Sequence, residues 1–162
     1  MTCLECGGKM TSARESVKYD ASGLSRVTLR NVEVRRCPKC GAHEVVIPKI
    51  EQLHQLLASA VIQKPAALVA EEIRFLRKYL GWSGADFAKY MGAKPETISR
   101  WENGKLTMSP QADRLLRVMV AVREPESDYT LDALKAILPK SARPLRVGLR
   151  SAPSGWRRDP AA

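Results

Sequence analysis

The sequence predicts an α+β fold in which a small, cysteine-containing β-rich module precedes a helical domain. Two observations carry this prediction. All four cysteines lie within the first 40 residues, in two Cys-x-x-Cys-Gly pairs separated by short alternating apolar stretches. From about residue 66 to 138, apolar residues recur at helical spacing instead. We therefore divide the chain into a four-cysteine module (1–47), a connector helix and linker (48–65), a five-helix domain (66–139) and a basic, disordered tail (140–162).

Charge along the chain restrains what can be inferred from composition. The 162 residues include 27 basic and 17 acidic side chains, a formal net charge of +10. Residues 140–162 hold 6 basic and 1 acidic side chain, whereas residues 64–139 hold 12 and 10. Because the excess is concentrated at one end, net charge alone is a weak argument for a nucleic-acid partner. The chain has neither a signal peptide nor a long apolar run, so we expect a cytoplasmic protein without a membrane partner.

The first module is predicted to contain a hairpin. Residues 16–19 and 27–34 are rich in residues that favour strands, and residues 20–23 between them have turn chemistry. The apolar alternation of Val27 and Leu29 slips by one position before Val32 and Val34. A slip of this kind predicts a β-bulge at Asn31.

The two cysteine pairs have the spacing of a structural metal site. Two residues between cysteines let one tight turn direct both sulfurs at a single ion, and the glycine after each pair permits the positive φ of such a turn. Four thiolates complete a tetrahedral zinc shell, leaving no open position for catalysis. The predicted ligands of one structural Zn²⁺ per chain are Cys3, Cys6, Cys37 and Cys40.

Other interpretations of the cysteines are open at this point. The pairs could form disulfides, which a reducing compartment disfavours, and a redox dithiol would need one pair only. His43 could be a ligand, although four cysteines already fill the shell.

Helical periodicity begins after the cysteine module. Apolar residues spaced along positions 50–61 predict an amphipathic connector helix that ends before Pro65. The helices predicted beyond it cover residues 66–80, 84–91, 95–103, 110–122 and 130–138.

Residues 84–103 have the pattern of two helices that cross steeply through a short turn. A small residue, Ala88, occupies the crossing point, and Gly92 four positions later supplies the positive φ of the turn. Ser83 is suited to cap the first helix, and Pro95 to open the second. Five apolar residues fall where the wedge between the helices must close: Phe87, Met91, Ala93, Ile98 and Trp101. An ordinary helical hairpin is the alternative, but it would not require this combination of slots.

The segment LGWSGADFAKYMGAKPETISRWENGK, within residues 70–122, resembles the XRE/Cro-type helix-turn-helix family. With the Cys-x-x-Cys-Gly pairs ahead of it, the whole of 1–122 resembles the YgiT/MqsA-type zinc-finger regulators. That resemblance implies a DNA-binding repressor of its own operon, and many such proteins are antitoxins of type II toxin–antitoxin pairs. The chain departs from the family at Gly84, where members often have a glutamine that grips a phosphate.

The second helix of this motif is expected to enter the major groove. Its buried positions aside, the predicted DNA-contacting residues are Lys94, Glu96, Thr97, Ser99, Arg100, Asn103 and Lys105. Arg100 is the best candidate for reading a guanine, Glu96 could accept from cytosine, and Thr97 could meet a thymine methyl or a phosphate. Lys94, Ser99 and Lys105 fit phosphate contacts. The alternatives are an Arg100–Glu96 ion pair, a structural role for Glu102 and a core position for Trp101.

A single helix-turn-helix covers a short half-site, so we expect a homodimer on a palindromic operator. Residues Leu115, Leu116, Met119, Val120 and Val122 offer more apolar surface than one face needs, and part of it is expected to form the dimer interface. All of it could instead be core. The arginines of the tail could strengthen DNA binding or have no role.

The predicted function is a sequence-specific transcriptional regulator, an autorepressor and the antitoxin of a toxin–antitoxin pair if a cognate toxin exists. The alternative is a protein-interaction adaptor, or a toxin-neutralising module with only non-specific DNA binding. An enzyme is not expected, because His43 and His54 are the only histidines and no nucleophile spacing or phosphate-binding loop occurs. We also expect metal loss to unfold the N-terminal module while the helical domain stays folded.

Overall fold

The computed structural model describes residues 1–124, 129–138 and 142–160. It confirms the mixed α+β class, with a strand-rich, four-cysteine N-terminal part followed by helices. The first half contains β1 (Thr11–Lys18), β2 (Val27–Arg36), β3 (His43–Val46) and α1 (Ile50–Ile62). The helical part contains α2 (Ala70–Tyr79), α3 (Gly84–Met91), α4 (Pro95–Glu102), α5 (Pro110–Arg123) and α6 (Leu131–Lys135). Two further strands follow, β4 (Val147–Ala152) and β5 (Gly155–Asp159).

The predicted hairpin and its bulge are both confirmed. Strands β1 and β2 pair antiparallel, and a 3-10 turn over Asp20–Ser22 lies between them. Their register shifts between Glu15 and Val17, opposite Asn31, whose φ of +57° is in the left-handed region. The bulge restores the alternation, so that Val32 is buried like Leu29 on the same side of the sheet.

The prediction of a disordered tail is wrong for residues 147–159. Strand β4 pairs in parallel with the first half of β2, and β5 pairs antiparallel with β4. Strand β3 pairs antiparallel with the second half of β2. Four strands of the resulting five-stranded sheet follow the order β1-β2-β4-β5, and the fifth, β3, pairs with β2. The central part of the sheet is therefore built from both ends of the chain. Residues 140, 141, 161 and 162 of the predicted tail lie outside the described residues.

Two buried residues explain why the hairpin of β4 and β5 is ordered. Leu149 pairs with Leu29 and is fully buried with it, so β4 completes the apolar inner face of the sheet. Trp156 is also buried, and its indole N–H donates to the carbonyl oxygen of Pro48 over 2.7 Å. Its backbone N–H donates to Gln52 Oε1 over 3.1 Å. The hairpin is therefore attached to α1 as well as to β2.

Helix α1 connects the sheet to the helical part. It buries Leu53 and Leu57, which belong to one apolar core that also includes sheet residues such as Leu29 and helical residues such as Leu76 and Leu116. The predicted connector helix is confirmed, and the apolar positions that predicted it are buried except Ile50 at its first turn, which is 47% exposed. The five predicted helices beyond it are also present, with ends within a few residues of those expected. No helix in the described part of the chain is long and apolar enough to cross a membrane.

A buried ionic network holds the linker between α1 and α2. Lys64 Nζ donates to Glu72 Oε2 over 2.6 Å, and Arg117 Nε donates to Asp113 Oδ1 over 2.6 Å. Glu72 also accepts the backbone N–H of Leu145, which connects the C-terminal segment to the same network. Since buried charges are costly unless they are paired, this set of bonds fixes one path for the linker.

Candidate metal centre and nucleic-acid interface

The four cysteines lie together at one end of the sheet. Their sulfur atoms are all within 4.8 Å of one another. Cys3 Sγ is 3.6 Å from Cys40 Sγ, and Cys6 Sγ is 3.4 Å from Cys37 Sγ. These separations are too long for disulfide bonds, and all four are free thiols. A tetrahedral zinc with Zn–S bonds of about 2.3 Å would place its sulfurs about 3.8 Å apart, close to what is observed.

Two similar turns bring the sulfurs together. In each turn the glycine after the second cysteine donates its N–H to the carbonyl of the first cysteine, over 2.9 Å in both cases. Gly7 and Gly41 have φ of +69° and +78°, as the sequence predicted. Gly8 has a different role, because a Cβ there would lie 3.3 Å from the sulfurs of both Cys6 and Cys37. A side chain at Gly8 would therefore crowd the site.

The thiol chemistry fits a bound cation. The backbone N–H of Cys40 favours the thiolate of Cys37 and lowers the pKa of Cys37 to about 7. For Cys40, the Ala42 N–H favours the thiolate, but Cys6, burial and the other sulfurs raise the pKa of Cys40 to about 12. Without a cation, four thiols this close cannot all ionise, whereas a soft divalent ion stabilises all four thiolates. The four cysteines can thus hold a metal ion.

His43 lies outside this cluster. It is exposed on β3, where it pairs in register with Arg36, and the described metal-binding group consists of cysteines alone.

The helix-turn-helix geometry follows the local sequence closely. Ser83 caps α3, its Oγ accepting the N–H of Asp86 over 3.0 Å, and the Asp86 carboxylate accepts in return from Ser83. This capping box lowers the pKa of Asp86, chiefly through the bond from the Ser83 side chain. Gly92 ends α3 with φ of +60°, and Pro95 begins α4. The predicted roles of Gly92 in the turn and of Pro95 at the start of α4 are therefore both confirmed.

The wedge between the two helices is closed by the residues that the pattern singled out. Phe87, Ala88, Ile98 and Trp101 are buried. Met91 and Ala93 are half-buried and pack against the same core. Trp101 is thus a core residue rather than a platform for a stacked base.

Two arginines on α2 hold α4 in place, and sequence reasoning missed them. Arg77 donates to Glu102 from Nε over 2.5 Å and from Nη2 over 3.1 Å, a two-bond fork. Arg74 Nη2 donates to the backbone carbonyl of Glu102 at the end of α4. The structural role considered for Glu102 is confirmed. Arg77 and Arg74 lie 25 and 28 residues before Glu102 in the chain, so no local spacing could have indicated these bonds.

A second missed feature is an aromatic pair beside α3. Trp82 and Tyr90 stack with ring centroids 4.1 Å apart and an interplanar angle of 10°. Tyr90 is 57% exposed. Helical spacing does not indicate this pair, because Trp82 precedes the first residue of α3.

The seven predicted DNA-contacting residues lie in and around α4, on its accessible side. Thr97 is half-buried and the others are exposed: Lys94, Glu96, Ser99, Arg100, Asn103 and Lys105. Asn103 Nδ2 donates to the Ser99 carbonyl over 2.8 Å, so its amide is partly engaged within the helix. Among the described residues, Arg100 forms no ion pair with Glu96, and Arg100 is exposed.

Comparison with known proteins bears on the helical part. A family model described as Helix-turn-helix matches residues 73–129, roughly a third of the chain. No curated protein matches the chain, and neither does any solved structure. The match spans α2 to α5 and contains the capped, wedged helix pair described above. Residues 73–129 are therefore similar to an XRE-type helix-turn-helix, a domain of DNA-binding regulators.

Proposed function

We propose that this protein is a sequence-specific transcriptional regulator that binds a palindromic operator as a homodimer. The observation that carries the proposal is the accessible side of α4, which presents polar and charged residues while its other side is fixed to α2 and α3. A recognition helix must be held rigidly, because small misplacements weaken hydrogen bonds to base edges. The Arg77–Glu102 fork supplies that rigidity.

The roles along α4 follow from chemistry and exposure. Arg100 reads a guanine through its two-pronged guanidinium, and Glu96 accepts from a cytosine amine. Lys94, at the N-cap of α4, binds a phosphate, as do Ser99 and Lys105. Thr97 meets a thymine methyl or a phosphate near the start of the helix.

Selection from a random duplex library, followed by anisotropy titrations across salt concentrations, tests this proposal. We expect a palindromic consensus bound about a thousandfold or more above random DNA. Arg100→Ala should relax base preference at one position of each half-site, at a cost of about 1–3 kcal/mol. Lys94→Ala is the matched comparison, and should weaken all duplexes alike and flatten the salt dependence. Identical behaviour of the two variants would refute the division between reading and positioning residues.

Helix α5 supports the proposed dimer. Leu116 and Val120 are buried in the core, so part of the apolar stretch is not available for an interface. On the other side Leu115 is 41% exposed and Val122 is 78% exposed, with half-buried Met119 between them at helical spacing. Val122→Glu is expected to shift the sedimentation of the protein from dimer to monomer. A monomeric wild-type protein would contradict the homodimer.

Antitoxin activity and autorepression are a narrower version of the same proposal. They rest on the resemblance of residues 1–122 to the YgiT/MqsA-type regulators. Co-expression of this protein with the toxic product of an adjacent small gene tests the antitoxin role. That role requires that this protein restore the growth that the toxic product inhibits. If the library yields no consensus, the adaptor becomes the better interpretation.

We also propose that the four-cysteine site holds one structural Zn²⁺ and that the protein binds rather than catalyses. Closed tetrahedral thiolate sites leave no position for a substrate. The metal content of gently purified protein tests this assignment, and a value near zero would contradict it.

A further inference from the structure

The outer face of the sheet carries a row of arginines. The inner face, with Leu29 and Leu149, packs on α1, so the alternate residues point outward. Arg30 on β2 lies opposite Arg150 on β4, and Arg150 lies opposite Arg157 on β5. Neighbouring strands are about 4.8 Å apart, so these three side chains form a line roughly 10 Å long across three strands. We call Arg30, Arg150 and Arg157 the arginine ladder.

This arrangement is electrostatically unfavourable for the isolated protein. Like charges directly opposite one another on a sheet face are destabilising. Asp159 lies among them, accepting from Arg150 Nη2 over 2.9 Å and standing 3.4 Å from Arg30 Nη1. Arg157 Nη2 donates to a neutral group, Ser154 Oγ, over 2.9 Å. One carboxylate thus stands among three guanidinium groups, and residues 142–160 hold five arginines against that single acid.

The excess of positive charge does not continue onto β1. Arg14 Nη1 donates to the carbonyl oxygen of Asn31 at the bulge over 2.9 Å, next to Arg30 in the chain. Arg14 is paired in register with Glu33, an outward residue of β2. The Glu33 carboxylate balances the Arg14 charge, so the excess of positive charge is confined to the ladder.

The chemistry of this face favours duplex phosphates over other anions. Guanidinium groups bind phosphate oxygens through two parallel hydrogen bonds, and a line of them matches a backbone better than a point charge. The described outward positions of β2, β4 and β5 include no aromatic residue, so bases of a single strand have no stacking platform there. The same outward positions also lack the large apolar residues that dominate protein–protein interfaces.

The ladder and α4 belong to different sides of the architecture. Helix α1 packs between the sheet and helices α2 and α5, whereas α4 packs on α2 and α3. We propose that the arginine ladder is a second, sequence-independent binding surface for duplex DNA, which holds one stretch of duplex while α4 holds the operator. The simultaneous binding rests on the function proposed above, but the phosphate-binding surface does not.

The first experiment measures binding of a random-sequence duplex to the full-length, metal-loaded protein over a range of salt concentrations. Arg150→Gln/Arg157→Gln is expected to reduce the slope of log K against log[salt] by about 0.9 for each phosphate that the variant no longer neutralises. Arg157→Gln alone leaves the bonds of Asp159 intact, and it should show half of that reduction without disturbing the fold. Arg150→Lys/Arg157→Lys should keep the wild-type slope, because slope follows charge.

The matched control is Arg114→Gln/Lys135→Gln, which removes the same charge from the helical part. It is expected to leave the slope nearly unchanged. If ladder and control variants lose equal affinity, or neither loses any, the ladder is not a DNA-binding surface. Unchanged duplex binding with lost binding of polyglutamate would overturn the proposal in favour of an acidic protein partner.

The second experiment asks whether two duplexes bind at once. The protein is saturated with a labelled duplex that carries the selected consensus, and a second duplex of random sequence carries a different label. We expect fluorescence cross-correlation between the labels for the wild type and the control, and its loss for the ladder variant. Absence of cross-correlation in the wild type would overturn the two-duplex arrangement. If selection yields no consensus but the ladder variants still lose random-duplex affinity, the function proposed for α4 fails while the ladder stands.

Discussion

Replacing Arg117 tests whether the buried network determines the stability of the protein. Arg117 is fully buried on α5 and donates four hydrogen bonds. One bond reaches Asp113, and three reach backbone carbonyls of the linker, at Ile62 (2.9 Å), Lys64 (2.6 Å) and Ala66 (2.7 Å). Arg117→Met keeps most of the side-chain volume but removes every donor.

The expected cost follows from the groups that are left behind. Asp113 keeps the backbone N–H of Leu68, at 2.7 Å, but loses its charge partner. Removing one member of a buried ion pair costs about 3–5 kcal/mol, and a buried carbonyl without a donor costs about 1–3 kcal/mol. These terms are not additive, because the linker can move towards water. We therefore expect the free energy of unfolding to fall by about 3–5 kcal/mol, a large share of the roughly 5–15 kcal/mol of a typical domain.

Urea unfolding of the metal-loaded protein, followed by circular dichroism, measures this change. Arg114→Met is the control on the same helix, since among the described residues the Arg114 guanidinium donates only to the carbonyl of Pro110 within α5. The control is expected to change the free energy of unfolding by less than about 0.5 kcal/mol. A loss below about 1 kcal/mol for Arg117→Met would refute the argument that these bonds fix the linker.

Three further predictions concern the metal site, α3 and α1. Cys40→Ser is expected to remove the bound metal and to lower the midpoint of thermal unfolding, while operator binding persists because helices α2 to α5 contain no metal ligand. Elemental analysis measures the metal and anisotropy measures the binding. An unchanged unfolding midpoint would contradict a structural role for the metal. Gly84→Gln should tighten the binding of all duplexes by about 1 kcal/mol, roughly fivefold, because the glutamine adds one phosphate contact. The side chain has room, since a Cβ at Gly84 meets nothing within 4 Å. Unchanged affinity would refute this prediction. Burial lowers the pKa of His54, whose ring lies 3.0 Å from the Tyr19 hydroxyl. The unfolded chain therefore binds a proton at His54 more readily than the folded protein does. As a result, the free energy of unfolding falls as the pH drops below about 6.5. Unfolding at pH 7.5 and 5 should therefore show a smaller loss for His54→Gln than for the wild type, and equal losses would count against this reasoning.

The structure changes the expectation for metal loss. The sequence suggested that the N-terminal module would unfold alone, leaving the helices intact. However, Leu29 of the sheet, Leu57 of α1 and Leu116 of α5 share one apolar core. The cysteines lie at the far end of the sheet, outside that core. We therefore expect metal loss to loosen the two cysteine turns first, with the inner sheet still held by α1.

Local features were predictable because their causes are local. The cysteine turns need only four neighbouring residues and a glycine, and the helix pair needs Ser83, Gly92 and Pro95 at fixed offsets. The β-bulge at Asn31 could be read from a one-residue slip, since strand side chains alternate with a period of two. In each case the residues that decide the conformation are close in the chain, the widest set being Ser83 to Pro95.

The C-terminal strands could not be predicted in the same way. Their order depends on pairing between Leu149 and Leu29, which are far apart in the chain, and on the buried Trp156, which donates to the carbonyl oxygen of Pro48. A short apolar stretch among arginines resembles a solvated tail until a partner strand is present, because an isolated hairpin is marginally stable in water.

By itself, the sequence determined the two cysteine turns, the connector helix and the helix-turn-helix, each through spacing that short-range geometry requires. Only the tertiary structure decided that the last strands complete the first sheet and that Arg117 fixes the linker. It also aligned Arg30, Arg150 and Arg157 on one face. The physical reason is that hydrogen bonds between distant strands, and the pairing of buried charges, depend on which segments the folded core brings together.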